Sequence, residues 1–301
     1  MKISIIVPVY NRPKELEELL ESLHNQTNKS FEVIIVEDGS TLRSESVVED
    51  FKDKLDIKYF SKENTGPGLS RNYGCEKASG DYCIFLDSDC VLPPDYFETV
   101  LGVLLNEDVD AFGGPDKAHK DFTKFQKAIN YSMTSFLTTG GIRGGSEKLD
   151  KFHPRSFNMG ILMEVFNATR GFSSMRFGED IDMSIRILRQ GFKTKLIKDA
   201  FVYHKRRTNL RQFFKQVYNS GIARINLYKR HPDSLKLVHF APALFSIGTM
   251  ALLLMSFLVL PWFLIPLLLH LLLLFVSSTI KNRSVLVGFL AILTSYTRIL
   301  I

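Results

Sequence analysis

Apolar residues come in short, unbroken runs over the first part of this chain and in one long run near its end, and the two patterns predict different structures. Ile3, Ser4, Ile5, Ile6, Val7, Pro8, Val9 and Tyr10 form a β-branched run too short for a helix. Nearly continuous apolarity, rather than alternation, marks a strand covered on both faces. Arg12, Pro13, Lys14 and Glu15 then open a helix, for which Asn11 reads as the cap. The cycle repeats with a strand over 31–37, the exit loop Asp38-Gly39-Ser40 and a polar helix over about 44–51. A strand at 57–61 leads through Asn64-Thr65-Gly66-Pro67-Gly68 into a helix ending near Ala78, and Tyr82 to Leu86 is the next strand. Strands and helices alternating at these lengths predict an α/β domain with a mostly parallel sheet and right-handed crossovers.

In such a sheet ligands collect at the carboxyl ends of the strands, and three polar loops fall there. The first follows Pro8, Val9 and Tyr10, where Tyr10 offers an aromatic wall. The second holds Asp38, able to accept from a base N–H or to form a plain Asx turn. The third is Asp87-Ser88-Asp89, two carboxylates one residue apart directly after a buried strand. Both acids repel each other unless donors or a hard divalent cation balance them. Further on, Gly178-Glu179-Asp180 opens a helix whose Ile181, Ile185 and Leu188 recur at helical spacing and which stops at Gly191. Acids in a first turn also simply suit the helix dipole. His204 lies where the apolar run Phe201, Val202, Tyr203 breaks into Lys205, Arg206 and Arg207. An imidazole there can ligate a metal and the guanidinium groups can clamp phosphates, or His204 can be an ordinary satisfied histidine.

The stretches IIVPVYNR, FEVIIVEDGS, GPGLSRNYG, DYCIFLDSD and GEDIDMSIRILRQGFK, in this order, resemble the family 2 glycosyltransferases over residues 1 to about 220. The resemblance implies the GT-A nucleotide-diphospho-sugar transferase fold and inverting transfer of one sugar from a nucleoside diphosphate, a UDP-sugar first among the candidates, to an acceptor hydroxyl. It implies that Pro8, Tyr10 and Asp38 surround the base and ribose, with Asp87 and Ser88 close by. By the same match Asp89 binds Mn2+ or Mg2+, His204 closes the metal site, and Arg206 or Arg207 holds the phosphates. Asp180 becomes the general base, since the acceptor hydroxyl loses its proton as the new bond forms. Glu179 orients the acceptor or the base. Arg71 resembles a donor-contacting position, the alternative being a charge on a helix surface. Residues 138–155, rich in Gly and charge, read as a flap over the donor. Phe157-Asn158-Met159-Gly160 after it resembles the stretch bordering the acceptor pocket, where Asn158 touches substrate, although a plain edge strand explains these residues equally well.

Charge and the long apolar run add a partner. The chain carries 38 Lys and Arg against 32 Asp and Glu, a net charge of +6. Nine of the cations fall between Tyr203 and Lys236 against Asp233 alone, so the excess is no nucleic-acid-binding face but the approach to a membrane. Phe240 to Ile280 holds no Asp, Glu, Lys or Arg, and as helix it would reach about 60 Å, roughly twice a hydrocarbon core. Pro261-Trp262 at its centre predicts two antiparallel helices, with a re-entrant hairpin as rival. Residues 285–301 form either a third crossing or an interfacial segment. The expected division is therefore a GT-A domain over 1–220, a basic amphipathic juxtamembrane segment over 221–239 and a membrane tail of two to three helices over 240–301. Positive flanks at both ends of the hairpin predict a catalytic domain on the cytoplasmic side of an inner membrane.

Other classes fit less well. A dinucleotide-binding dehydrogenase needs a glycine fingerprint where this chain has Pro8-Val9-Tyr10-Asn11, and a sugar nucleotidyltransferase needs a Gly-rich, Arg-bearing first loop. A processive polymer synthase needs a Gln-x-x-Arg-Trp segment, yet Trp262 is the sole tryptophan. Cys75, Cys83 and Cys90 have neither paired nor metal-type spacing and fit a reducing compartment. The opening lacks a charged n-region and a cleavage pattern, so no secretory leader is expected. A lipid-linked saccharide is the expected acceptor, in surface polysaccharide or glycan biosynthesis. The alternatives are a polyprenyl-phosphate sugar synthase and an inactive nucleotide-sugar-binding membrane protein.

Overall fold

The computed structural model describes residues 1–119, 121–139 and 152–300. The expected flap over 138–155 falls largely outside the described residues. In chain order the first elements are β1 (Ile3–Val9), α1 (Pro13–His24), β2 (Phe31–Asp38), α2 (Glu45–Glu49), β3 (Ile57–Lys62), α3 (Pro67–Lys77), β4 (Tyr82–Leu86), β5 (Cys90–Val91) and α4 (Tyr96–Leu104). Then follow β6 (Ala111–Gly113), β7 (Asp116–Lys117), α5 (Lys124–Thr134), α6 (Phe136–Thr139), β8 (Asn158–Leu162), α7 (Met163–Ala168), α8 (Glu179–Arg189), β9 (Thr194–Leu196) and β10 (Val202–His204). The last are α9 (Leu210–Arg230), α10 (Ala241–Leu258), α11 (Ile265–Asn282) and α12 (Val285–Ile299). Two units divide these elements, one from Met1–His119 and Leu149–Lys205, the other from Lys120–Lys148 and Arg206–Ile301.

The first unit is built on a seven-stranded sheet of order β3-β2-β1-β4-β8-β6-β9. The four N-terminal strands pair in parallel, as the alternating pattern predicts. Their unbroken apolar runs are explained by a core on each face. Ile3, Ile5, Val7 and Val9 of β1 pack with Leu16, Leu19, Leu20 and Leu23 of α1. Ile6 of β1, Ile34 of β2 and Phe85 of β4 pack on the other side with Cys75 of α3 and Met183 and Ile187 of α8. Burying one such aliphatic side chain contributes about 1.5–3 kcal/mol.

Three local expectations change. Asn11 does not cap α1: it adopts φ 54°, and its Oδ1 accepts from Leu42 N at 2.8 Å and Thr41 Oγ1 at 3.0 Å, tying the exit of β1 to the loop after β2. Asn tolerates this left-handed backbone better than most residues. Phe157-Asn158-Met159-Gly160 does contribute a strand, but β8 lies inside the sheet, antiparallel to β4 and β6. Gly160 makes that possible, because the Phe112 ring of β6 fills the space where a Cβ would stand. Finally, α8 buries Met183 and Ile187 fully, whereas Ile181 and Leu188 of the expected stripe are only half-buried. Asp182 and Ser184 are buried beside them because Asp182 pairs with Arg186 at 2.8 Å and Ser184 donates to the Pro154 carbonyl.

A small sheet of order β5-β10-β7 sets Cys90 beside His204 in register. In the second unit, α10 and α11 are joined by a helical turn at Pro261–Leu264, as the Pro-Trp pair predicts. Leu237–Leu258 and Pro261–Asn282 are long and apolar enough to cross a membrane. The shorter α12 packs instead on α5: Val287 and Ala291 meet Ala128 and Tyr131, and Thr294 donates to the Ala128 carbonyl at 3.2 Å.

Candidate active site

The exits of β1, β2 and β4 and the start of α8 bring charged side chains together in the first unit. At the end of β2 the buried Asp38 carboxylate accepts from Thr65 N and Gly66 N, both at 2.9 Å, and pairs with Lys62 Nζ at 2.5 Å. Burial opposes its ionisation, but Lys62 and the Thr65 amide hold it below the ordinary aspartate range. Asp38 thus clamps the loop that starts α3, and the half-exposed Tyr10 stands at the exit of neighbouring β1. Pro8 is half-buried within β1, in register with Val36.

Arg71 is no surface charge. It is 2% exposed and forks between Asp87 Oδ1 at 2.7 Å and Glu179 Oε1 at 3.1 Å, so one guanidinium joins the exit of β4 to the start of α8. Asp180 also faces this cation electrostatically. Gly178 precedes the pair in a left-handed conformation, φ 86°, which an L side chain adopts only under strain. The two acids of α8 then part company. Burial pushes the Glu179 carboxyl up to about 7, with Arg71 opposing and the neighbouring Asp180 charge adding to the rise. Burial opposes Asp180 as well, but Arg155, whose Nε donates to Asp180 Oδ2 at 2.6 Å, outweighs it together with Arg71 and the Ile181 amide. Asp180 is held below its ordinary range and stays ionised. Two neighbouring carboxyls whose environments push their proton affinities apart suit different roles, the lowered one being the better placed to take a proton.

Two residues after Asp87, Asp89 is 5% exposed and forms an ion pair with Arg12. Its Oδ1 lies 3.1 Å from His204 Nε2, which is also 3.9 Å from Asp87 Oδ2. Pairing of β10 with β5 causes this: the Lys205 amide donates to the Asp89 carbonyl at 3.1 Å, and the His204 ring stacks on Phe157 with centroids 5.1 Å apart. Asp89, Cys90 and His204 offer ligand atoms within 4.8 Å of one another. Burial, then the charges of Asp89 and Asp87, keep Cys90 a thiol, and it donates to the Phe157 carbonyl at 3.5 Å. What remains is a carboxylate and imidazole set, which suits Mn2+ or Mg2+ better than a soft metal. Ser88, between the two acids, is buried.

Asn158 is not at the open rim. It is fully buried, accepting from Tyr96 Oη at 2.5 Å and donating to the Ala200 carbonyl at 2.8 Å, which makes it a tie between β8 and its neighbours rather than a substrate contact. Arg206 and Arg207 belong to the second unit, where Arg206 donates to Asn130 Oδ1 at 3.1 Å. Arg12, Arg155 and Lys62 escaped the sequence reading as site residues. Arg12 ends the quoted IIVPVYNR stretch and was open to recognition, whereas Arg155 stands in a segment without periodicity.

Residues 4–170, more than half of the chain, match the family model described as glycosyl transferase family 2. The chain belongs to glycosyl transferase family 2. The chain is 42% identical over 105 residues to an uncharacterized glycosyltransferase of Haemophilus influenzae, a match covering 34% of this chain and 42% of the relative. It spans less than half of the length of the curated relatives it matches. Among solved structures it is similar to the mannosyltransferase PcManGT of Pyrobaculum calidifontis in complex with GDP-Man and Mn2+, with TM-score 0.67 and 17% identity over 98% of this chain and 86% of that one. It is also similar to S. aureus TarS 1–349 in complex with UDP-GlcNAc, with TM-score 0.55 and 20% identity over 80% of this chain and 70% of that one. At these identities the likeness establishes the GT-A fold of this chain and nothing further.

Proposed function

We propose that this glycosyltransferase moves a single hexosyl group, with inversion, from a nucleoside diphosphate sugar to a hydroxyl of a lipid-linked saccharide at the cytoplasmic face of a membrane. The observation that carries the reading is Arg71, which binds Asp87 of the DSD loop with one nitrogen and Glu179 of the Glu-Asp pair with the other. Donor and acceptor groups so linked act on one reacting centre. Asp180 accepts the proton of the acceptor hydroxyl as its oxygen forms a bond to the anomeric carbon. The bond from that carbon to the diphosphate breaks, and its electron pair leaves on the diphosphate oxygen. Glu179 orients the acceptor or the base, while Asp38 and Tyr10 receive the base and ribose. Asp89 and His204 would hold a divalent cation, which when bound neutralises charge on the diphosphate. The UDP-GlcNAc bound by TarS and the GDP-Man bound by PcManGT support a nucleotide-sugar donor. The two apolar helices and the basic excess before them support the membrane-bound acceptor, and the same features favour a lipid phosphate as the second reading.

The test is nucleoside diphosphate release from a panel of UDP-, GDP- and dTDP-sugars in membranes containing the full chain. Release is expected to fall on chelation and return with Mn2+, and Asp180→Asn should lower kcat by about 10²–10⁴-fold. Asp180→Asn should leave binding of the nucleoside diphosphate unchanged. Full activity of that variant would end the assignment of the base, and nucleotide-sugar binding without release from wild type would identify an inactive binder. A product labile to mild acid would identify a lipid phosphate as acceptor.

A further inference from the structure

Helix α9 is amphipathic twice over. Its inner face is held by Phe213, Ala223 and Leu227, all buried, with Phe213 packing on Ile129 and Met133 of α5 in the same unit. A second apolar face points away from that contact. Phe214 (49% exposed), Tyr218 (55%), Ile225 (58%) and Tyr228 (46%) stand outward. Their spacing of four, seven and three residues, with Gly221 between, places them on one stripe of the helix. Arg211, Lys215 and Lys229 run along one edge of the stripe, all exposed, and no acid occurs between Leu210 and Arg230.

We propose that this stripe is a membrane-surface anchor, lying in the headgroup and acyl boundary of a leaflet rich in anionic phospholipid. Three observations select this occupant over another protein. Two tyrosines and a phenylalanine suit the boundary, where an aromatic body is buried and a polar tip stays wet. An acid-free basic edge complements lipid phosphates, each cation near such a surface strengthening binding about fivefold. Exposed apolar surface also continues along the chain through Leu237 and Phe240 into α10, whose apolar side chains are themselves outward. A helix of 21 residues is about 31 Å long, so the anchor holds the second unit along a line rather than at a point. This inference does not depend on the reaction assigned above.

The three native cysteines are buried, so a single introduced cysteine can be labelled selectively. The full chain is reconstituted into vesicles with an environment-sensitive fluorophore at Ile225→Cys or, on the far side of the helix, at the exposed Gln212→Cys. In vesicles containing phosphatidylglycerol, the label at 225 should shift to shorter wavelength and lose roughly half of its emission to a lipid-borne quencher, as expected for a group inside the boundary. The label at 212 should remain in water. Replacing Arg211, Lys215 and Lys229 together by Gln, or using phosphatidylcholine alone, should weaken the quenching at 225. Equal, water-like emission from both positions overturns the proposal. So does a shift at 225 that disappears when the protein is diluted into excess lipid, because a second copy would then be the occupant.

Discussion

At the scale of single residues, the site turns on how buried charges are balanced. Asp180 stays ionised because Arg155 and Arg71 outweigh its burial, as the proposed base requires. Arg155→Ala removes the larger of these two contributions. The Asp180 carboxyl should then rise, since the guanidinium that holds it down is gone. A base must be ionised to act, so the acid limb of kcat/KM against pH should move to higher pH; an unmoved limb would mean that Asp180 is not the base. The stability signs of the pair are opposite. A depressed Asp180 contributes stability above its unfolded value that is lost as pH falls through its folded one. The raised Glu179 contributes most below its unfolded value of 4.5, and this is lost as pH rises through about 7. Sequence named Asp180, Glu179, Asp89 and His204 because each stands in a motif at a strand or helix end. It could not separate the states of Glu179 and Asp180, which depend on Arg155 and Arg71 arriving from elsewhere in the chain. Asn158 misled because an amide in a strand beside a motif reads alike whether it faces solvent or core.

Among elements, the parallel strands are tied at their N-terminal ends by one buried acid. Glu32 of β2 accepts from Ser4 Oγ of β1 at 2.6 Å and from Ser79 N at 2.7 Å, and pairs with Lys58 Nζ of β3 at 2.7 Å. Burial opposes its ionisation, but Lys58 and the serine donors outweigh it and lower the carboxyl from 4.5 to about 2. The stability this gives is present above about 4.5 and lost as pH falls through about 2. Glu32→Gln should therefore lower stability at neutral pH by about 1–3 kcal/mol, the cost of leaving buried partners without an ionised acceptor. It should also flatten the acid limb of the denaturation profile; an unchanged limb would mean that the network carries no linkage. Strand runs and loop residues foretold β1 to β4 almost to the residue, since each buried strand is apolar by itself. The interior position of β8 was hidden, because a strand's neighbours are set by the ring of Phe112 fitting over Gly160 and not by local pattern. The buried face of α8 was misread for a related reason: paired Asp182 and bonded Ser184 enter the interior although their chemistry reads as polar.

For the whole molecule, α10 and α11 lie in segments long and apolar enough to cross a membrane, and their apolar side chains point outward. Leu244, Ile247, Met250, Leu253, Leu254 and Phe257 of α10 are all at least half exposed. The full chain should therefore resist extraction by alkaline carbonate and enter solution only with detergent, and release by carbonate alone would argue against bilayer insertion. Sequence by itself determined the α/β architecture, the membership of glycosyl transferase family 2, the acids at the strand ends and the hairpin at Pro261-Trp262. The architecture, the acids and the hairpin follow from local runs, spacing and turn residues, which act over a few positions, and the family follows from five ordered stretches that resemble it. Tertiary structure alone decided that Arg71 and Arg155 share the acids of α8, that the pairing of β10 with β5 is what carries His204 to Asp89, and that α12 rests on α5. Those outcomes depend on residues far apart in the chain meeting in a low-dielectric interior, where the partner and not the residue type sets the charge.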